Sequence, residues 1–264
     1  MVLRALSRSP REDDYTPVSS REGLSSALEL LRREYSDLSL LVRSKRVLDF
    51  GCGVGRQSVA LAMEEGCHVC GVDTNHRWLQ HARALAAEHG IDQDRLMFVT
   101  HVNADMEGTF DVAISKDSME HFADPISILD QLKRLIHPGG KILITFGPPW
   151  FAPYGSHMNF FCKAPWLNVL FSERTVMSVR AAFRNDGATR YEDVESGLNK
   201  MTIAKFDRIV ANGGLVVQRR KFRCVRGLNW LGQVPIVREF FVNHITCLLT
   251  LPDKGITLRT ARSG

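Results

Sequence analysis

The chain has 264 residues, 44% of them apolar and 24% charged, with a formal net charge of +5. That length and apolar share suit one large globular unit, or one core with an inserted subdomain, able to bury its centre without covalent staples. A pI near 9.0 permits nucleic-acid contact, but the basic residues are dispersed, and the one cluster, "RRKFR" at 219–223, is explained as well by a solvated strand edge.

Apolar runs such as Ile142 to Phe146 and Ile245 to Leu249 are of strand length, short of the roughly 20 residues a membrane span needs. A soluble, cytoplasmic protein is expected. Six scattered cysteines, with no signal peptide ahead of them, read as reduced thiols. Cys67 and Cys70 form a C-x-x-C that runs into an apolar strand without a second ligand pair, so they are expected to pack in the core, and no metal site is expected.

The start, "MVLRALSRSPR", is basic and free of acids; it reads as a frayed terminus, with an organellar transit segment as the alternative. From 20 to 38, apolar Leu24, Leu28, Leu31 and Tyr35 recur at helical spacing behind a Ser19/Glu22 capping box. "RVLDF" (46–50) then reads as a buried strand ending in Gly-Cys-Gly-Val-Gly, with a helix from Gln57 to Glu65 behind it and "CHVCGVD" as a second strand closed by an acid.

The rhythm continues. "NHRWLQHARALAAEHG" reads as a helix, "LMFVTH" and "FDVAIS" as strands, "PISILDQLKRLIHPGG" as a helix with a Pro-Gly-Gly turn and "KILITF" as a strand. Strands alternating with helices imply right-handed crossovers and a doubly wound α/β sheet. After Phe146 the alternation stops through Leu198, in a segment rich in aromatic rings and histidine that is expected to lie over the carboxyl edge of the sheet. A helix at Thr202 to Ala211, stopped by Asn212-Gly213-Gly214, precedes "LVVQRRKF" and "EFFVNHITCLLTL", expected as an antiparallel hairpin closing the sheet. The expected layout is therefore a helical segment (1–44), a Rossmann-like core (45–146), a lid (147–198), a helix and strands completing the sheet (199–252), and a tail (253–264).

Ligands of such sheets bind beyond the carboxyl ends of the strands. There the sequence places Asp49, Gly51, Gly53 and Gly55 on the first turn and Asp73 at the end of the second strand. Glycines admit close approach of a ligand to backbone, and an acid at the second strand's end can accept both hydroxyls of a ribose. A dinucleotide fingerprint needs G-x-G-x-x-G/A, whereas this turn is G-x-G-x-G with Arg56 in the last glycine's place. The carboxylate of Asp49 suits an ammonium rather than a pyrophosphate.

"VLDFGCGVG", "GVD" (71–73), "NADM" (103–106), "FDVAIS" (110–115) and "LKRLIHPGGKILIT" (132–145) follow one another in the order of the motifs of class I S-adenosylmethionine-dependent methyltransferases, which this chain resembles over about residues 45 to 146. The resemblance implies a seven-stranded Rossmann-like sheet, mostly parallel with an antiparallel last strand, and S-adenosylmethionine as cofactor. It implies that Asp49 and Gly51, Gly53 and Gly55 hold the methionine end, Asp73 the ribose, and Ala104, Asp105 and Met106 the adenine, with Thr74 beside the adenine and Ser115 near the sulfonium.

"GPPWFAPYGSH" (147–157) decides the acceptor class. Base- and amide-modifying relatives carry a Pro-Pro-aromatic run after the fourth strand, where this chain has "SKDSMEH" (115–121); here Pro-Pro-Trp comes one strand later and reads as the opening of a lid. Candidate bases are His121, His157 and Tyr154, together with Asp117 and Glu120; capping or packing of the next helix is an equal reading for His121. Trp150, Phe151, Phe160 and Trp166 either wall an apolar acceptor pocket or form the insertion's own core. The expected function is methyl transfer to an oxygen or carbon of a hydrophobic small molecule, by a monomer or homodimer without nucleic acid. An RNA or protein methyltransferase and a non-catalytic cofactor-binding partner subunit are the alternatives.

Overall fold

The computed structural model describes residues 2–7 and 21–252. The strands are β1 (Arg46–Phe50), β2 (His68–Val72), β3 (Leu96–Val99), β4 (Phe110–Lys116), β5 (Ile136–Phe146), β6 (Val216–Cys224) and β7 (Val242–Thr250). They form one sheet in the order β3-β2-β1-β4-β5-β7-β6. β1 pairs in parallel with both β2 and β4, and β7 runs antiparallel to both β5 and β6. The chain builds outward from β1 to β3 and then returns to the far side of β1, so the order reverses between β1 and β4, and a crevice opens at their carboxyl ends.

The described residues form ten helices: α1 (Val2–Leu6), α2 (Arg21–Glu34), α3 (Leu38–Val42), α4 (Arg56–Glu64), α5 (His76–Glu88), α6 (Pro125–Leu135), α7 (Leu167–Leu170), α8 (Glu173–Arg180), α9 (Ile203–Asn212) and α10 (Val237–Phe241). Alternate residues of each strand point to opposite faces. Leu143 and Leu248 therefore join one core with residues of α2 to α5, while Ile142, Ile144, Cys247 and Leu249 join the other with residues of α6 and α9. Leu24, Leu28, Leu31 and Tyr35 are buried, as their spacing requires, each contributing about 2 kcal/mol by leaving water. The Tyr35 hydroxyl lies 3.0 Å from the Ile144 carbonyl oxygen and 2.8 Å from that of Cys247, tying α2 to the β5–β7 pair. Cys67 and Cys70 are buried in the core. Ser19, the first member of the expected capping box, lies outside the described residues.

Two expectations need adjustment, and one choice left open by the sequence is decided in part. α6 stops at Leu135, and Ile136 already pairs with Phe110, so the Pro-Gly-Gly segment belongs to the irregular start of β5 and not to a helix end; Pro138 disfavours helical backbone at His137, so the helix does not run on into that segment. Glu239 to Phe241 form the end of α10 instead of the start of the last strand. The insertion after β5 packs its own core: Met158, Phe161, Cys162, Leu167, Val176, Met177 and Tyr191 are buried together, with Leu3 of α1 against them. Arg180 closes this unit with bonds of 2.6 and 2.5 Å to the Asp186 carboxylate.

One ionic cluster fastens α2 and α3 to the end of α4. Glu65, fully buried, accepts from Arg32 at 2.7 Å, Ser39 at 2.7 Å and Arg43 at 3.4 Å. Burial works to raise its carboxyl, but these donors prevail and hold it below its ordinary range. Its stabilising contribution is thus complete above the unfolded value near 4.5 and is lost as the pH falls through the lower folded value. Glu65→Ala removes the buried acceptor of these donors while Arg32 keeps Glu29 and Glu64 at 3.1 and 3.0 Å, and is expected to cost about 2 kcal/mol at pH 7. Chemical denaturation at pH 7 and pH 3 checks this: the difference from wild type should shrink at the acid pH.

Candidate active site

The turn from β1 into α4 is built around Asp49. Its carboxylate is buried and accepts from Ser58 Oγ at 2.6 Å and Gln57 Nε2 at 3.0 Å, both on the first turn of α4. Burial pushes this carboxyl up to about 6 against the pull of those donors. Gly51, Gly53 and Gly55 all have positive φ. At Gly51 a Cβ would meet Ser118 Oγ at 2.6 Å, so the fold itself demands glycine, whereas at Gly53 a Cβ meets nothing within 4 Å. The open face at Gly53 leaves backbone accessible to a ligand.

Asp73 spans the crevice. Its Oδ2 accepts the Gly53 amide at 2.9 Å and its Oδ1 the Asn75 amide at 2.9 Å, which locks the first glycine turn to the start of α5. Each oxygen retains a second lone pair for a further donor. Thr74 beside it is exposed, as are Ala104 and Asp105 on a short 3-10 turn (Ala104–Met106), while Met106 packs half-buried on the core. Ser115, near the end of β4, is buried, and its Oγ has no partner among the described residues; the same holds for Gln57 Oε1.

The loop after β4 and the lid meet above the sheet. His121 Nδ1 lies 2.8 Å from the Gly197 carbonyl oxygen, and His157 Nε2 lies 3.2 Å from that of Pro148. A carbonyl can only accept, so each ring donates there, and in the neutral ring the opposite nitrogen keeps its lone pair. The two rings meet edge to face at 5.5 Å. Burial and the neighbouring His121 push His157 down to about 4, so it is neutral at pH 7. Glu120 is buried, accepts the Gly147 amide at 3.0 Å through Oε1, and leaves Oε2 without a partner; burial raises it to about 8.

The predicted aromatic residues separate. Trp150 stacks edge to face on Tyr191, and Phe160 on Phe161, both as part of the insertion's core. Phe151 is exposed and lies against Phe240. Trp166 instead lines a cavity of about 590 Å³ with Tyr154, Phe241, Leu228, Arg223 and Arg226. One lid turn serves both places: the His157 amide donates to the Tyr154 carbonyl at 3.0 Å, with the Tyr154 ring at the cavity and the His157 ring on His121.

Gln57, Ser58 and His244 went unseen in the sequence, whereas Asp117 was among the candidate bases. Gln57 and Ser58 follow Asp49 by 8 and 9 residues, a spacing that one glycine turn and one helical turn produce, so it was available in principle. Asp117, with left-handed backbone, accepts from His244 Nε2 at 3.0 Å, Thr145 Oγ1 at 2.9 Å and Lys116 Nζ at 2.7 Å. Burial opposes its ionisation, but His244 and Lys116 hold it well below the ordinary carboxylate range. His244 lies 127 residues away in the chain, and no local pattern announces it.

A family model described as a methyltransferase domain matches residues 24–217. The ubiquinone biosynthesis O-methyltransferase of Xylella fastidiosa (strain M23) is 33% identical over 120 residues, 45% of this chain and 48% of that protein. The enzyme of the same name from Pseudomonas aeruginosa (strain UCBPP-PA14) is 32% identical over 136 residues, 51% and 55% of the two chains. The chain thus spans about half the length of the curated relatives it matches. Among solved structures, geranyl diphosphate C-methyltransferase from Streptomyces coelicolor A3(2) superposes with a TM-score of 0.55 at 16% identity, covering 94% of this chain and 91% of that one. The [4+2]-cyclase SpnF gives 0.57 at 14%, covering 92% and 86%. At such identities the likeness is one of fold. The family match extends over most of the sequence, and this chain belongs to the class I S-adenosylmethionine-dependent methyltransferases.

Proposed function

We propose that this methyltransferase acts on an oxygen or carbon of a hydrophobic small molecule, bound between the lid and the carboxyl edge of the sheet. The observation that carries the reading is the lid turn from Tyr154 to His157, which faces an aromatic cavity on one side and the His121 imidazole on the other. A cavity of about 590 Å³ falls within the range of small-molecule sites. The names of the relatives, an O-methyltransferase of ubiquinone biosynthesis and a C-methyltransferase of geranyl diphosphate, point the same way.

The crevice residues fit the cofactor. The space beside Gly53 admits a ligand, and the second lone pairs of Asp73 and the unpartnered Gln57 Oε1 and Ser115 Oγ are polar groups in want of one. We assign Asp49, Gly51, Gly53 and Gly55 to the methionine end, Asp73 to the ribose hydroxyls, Thr74, Ala104, Asp105 and Met106 to the adenine, and Ser115 to the reacting end. When bound, S-adenosylmethionine supplies an electrophilic methyl group on a sulfonium.

The protein's own work is alignment and exclusion of water. His121 holds its Nδ1 proton on Gly197, and its Nε2 lone pair accepts the acceptor's proton as the new bond forms. His157, kept neutral by burial, places no second positive charge beside the imidazolium that results. Tyr154 and Trp166 orient the apolar body of the acceptor, and Trp150, Phe151 and Phe160 shape the lid around them.

Three outcomes are expected. Asp73→Ala should weaken S-adenosylhomocysteine binding by about 1.5 to 3 kcal/mol, as loss of charge-assisted hydrogen bonds does; calorimetric titration measures it, and unchanged affinity removes the ribose assignment. Because Asp49 titrates near 6 in the free protein and the ligand's ammonium favours its ionised form, affinity should hold from pH 8 down to that value. Below it, affinity should fall by up to about tenfold per pH unit, and Asp49→Asn should flatten the profile. Labelled methyl offered with a cell extract should enter the organic-soluble fraction and be lost with Asp73→Ala. Label in RNA or protein instead overturns the small-molecule reading.

A further inference from the structure

The connection between β6 and β7 is out of character for a solvated loop. Leu228 is 40% exposed, Trp230 66%, Val234 38% and Ile236 78%. Ile236 has φ +70°, a backbone conformation that a β-branched residue adopts only under constraint. Isolated surface apolar residues need no explanation, but a concentration of them on one connection marks an interaction site.

The connection is also firmly held. Leu231 and Gly232 are buried, with Gly232 close against Phe222, and the Cys224 amide donates to Asn229 Oδ1 at 2.9 Å. Phe240 and Phe241 of α10 pack on Phe151 and Trp166 of the lid. The exposed side chains are therefore presented by anchored backbone.

Charge selects the partner. Between Asp207 and Glu239 the sequence holds seven lysines and arginines and no acid. Five of the seven, Arg219, Arg220, Lys221, Arg223 and Arg238, share just three carboxylates, those of Glu34, Asp37 and Asp207. Positive charge is left in excess, and Arg226, exposed with φ +52°, sits at the cavity beside Leu228.

We propose that this connection docks peripherally on an anionic lipid bilayer, with Trp230 and Ile236 entering the headgroup region and the surrounding arginines on lipid phosphates. Tryptophan favours the membrane–water interface, and basic residues beside apolar ones give surface attachment without a span. The cavity between this connection and the lid then stands at the bilayer surface, where an apolar acceptor concentrates. The proposal depends on exposed residues and charge, so its failure leaves the methyl-transfer reading intact.

The test is co-sedimentation of the full chain with vesicles of phosphatidylcholine alone and of phosphatidylcholine with phosphatidylglycerol. Retention by the anionic vesicles, weakened by salt, is expected, and Trp230→Ser/Ile236→Ser should lower it by roughly tenfold or more with S-adenosylhomocysteine affinity unchanged. Arg226→Glu should lower it too, and serves alone if the double variant no longer binds S-adenosylhomocysteine. No retention of wild type, or retention that none of these changes weakens, overturns the proposal. So does self-association that the double variant abolishes in the absence of vesicle binding, which would make a second copy the occupant.

Discussion

The reversal of β7 between β5 and β6 is the constraint on which most of this structure depends. By running antiparallel in that slot, β7 brings the Cys247 carbonyl beside that of Ile144, where the Tyr35 hydroxyl meets both, and so seats α2 on the sheet. It sets Thr246 against Glu34 at 2.7 Å and His244 against Asp117 at 3.0 Å. It also fixes how the chain leaves β5: a side chain at Gly147 would lie 2.4 Å from the Asn243 carbonyl oxygen, so only glycine passes there on the way into the lid. Lid, loop and N-terminal helix are all placed by one strand that is formed last in the sequence.

Several titratable groups at the carboxyl edge that results are buried, and their ionisation is shifted accordingly. Asp49 is raised to about 6, Glu120 to about 8, and His157 is lowered to about 4, in each case chiefly by burial. Desolvation disfavours charge of either sign, so at neutral pH Glu120 and His157 are held neutral while Asp49 is ionised. Asp117 takes the opposite course because His244 and Lys116 outweigh its burial.

The insertion resolves a choice between an aromatic pocket and an independent core, and it does so by dividing its rings. Phe161, Tyr191 and their neighbours bury one another, with Trp150 and Phe160 packed at the margin. Trp166, at φ +55°, turns away toward Phe241 and the cavity. Composition counts rings without assigning them to sides, because the segment has too little periodic structure for spacing to indicate a face.

The doubly wound sheet, the glycine turn and the acid closing the second strand were legible in the sequence because each is a local requirement: strand and helix periodicities bury one face, and tight turns need positive φ. The positions of Asp49 and Asp73 at the crevice follow from the same rules. Tertiary structure alone decided that α6 yields to β5 at Ile136, where pairing with Phe110 wins over helical continuation. It alone put His157 on His121 and His244 on Asp117. Those contacts join residues far apart in the chain, and their geometry is set by how strands order in a sheet rather than by any property of the neighbouring sequence.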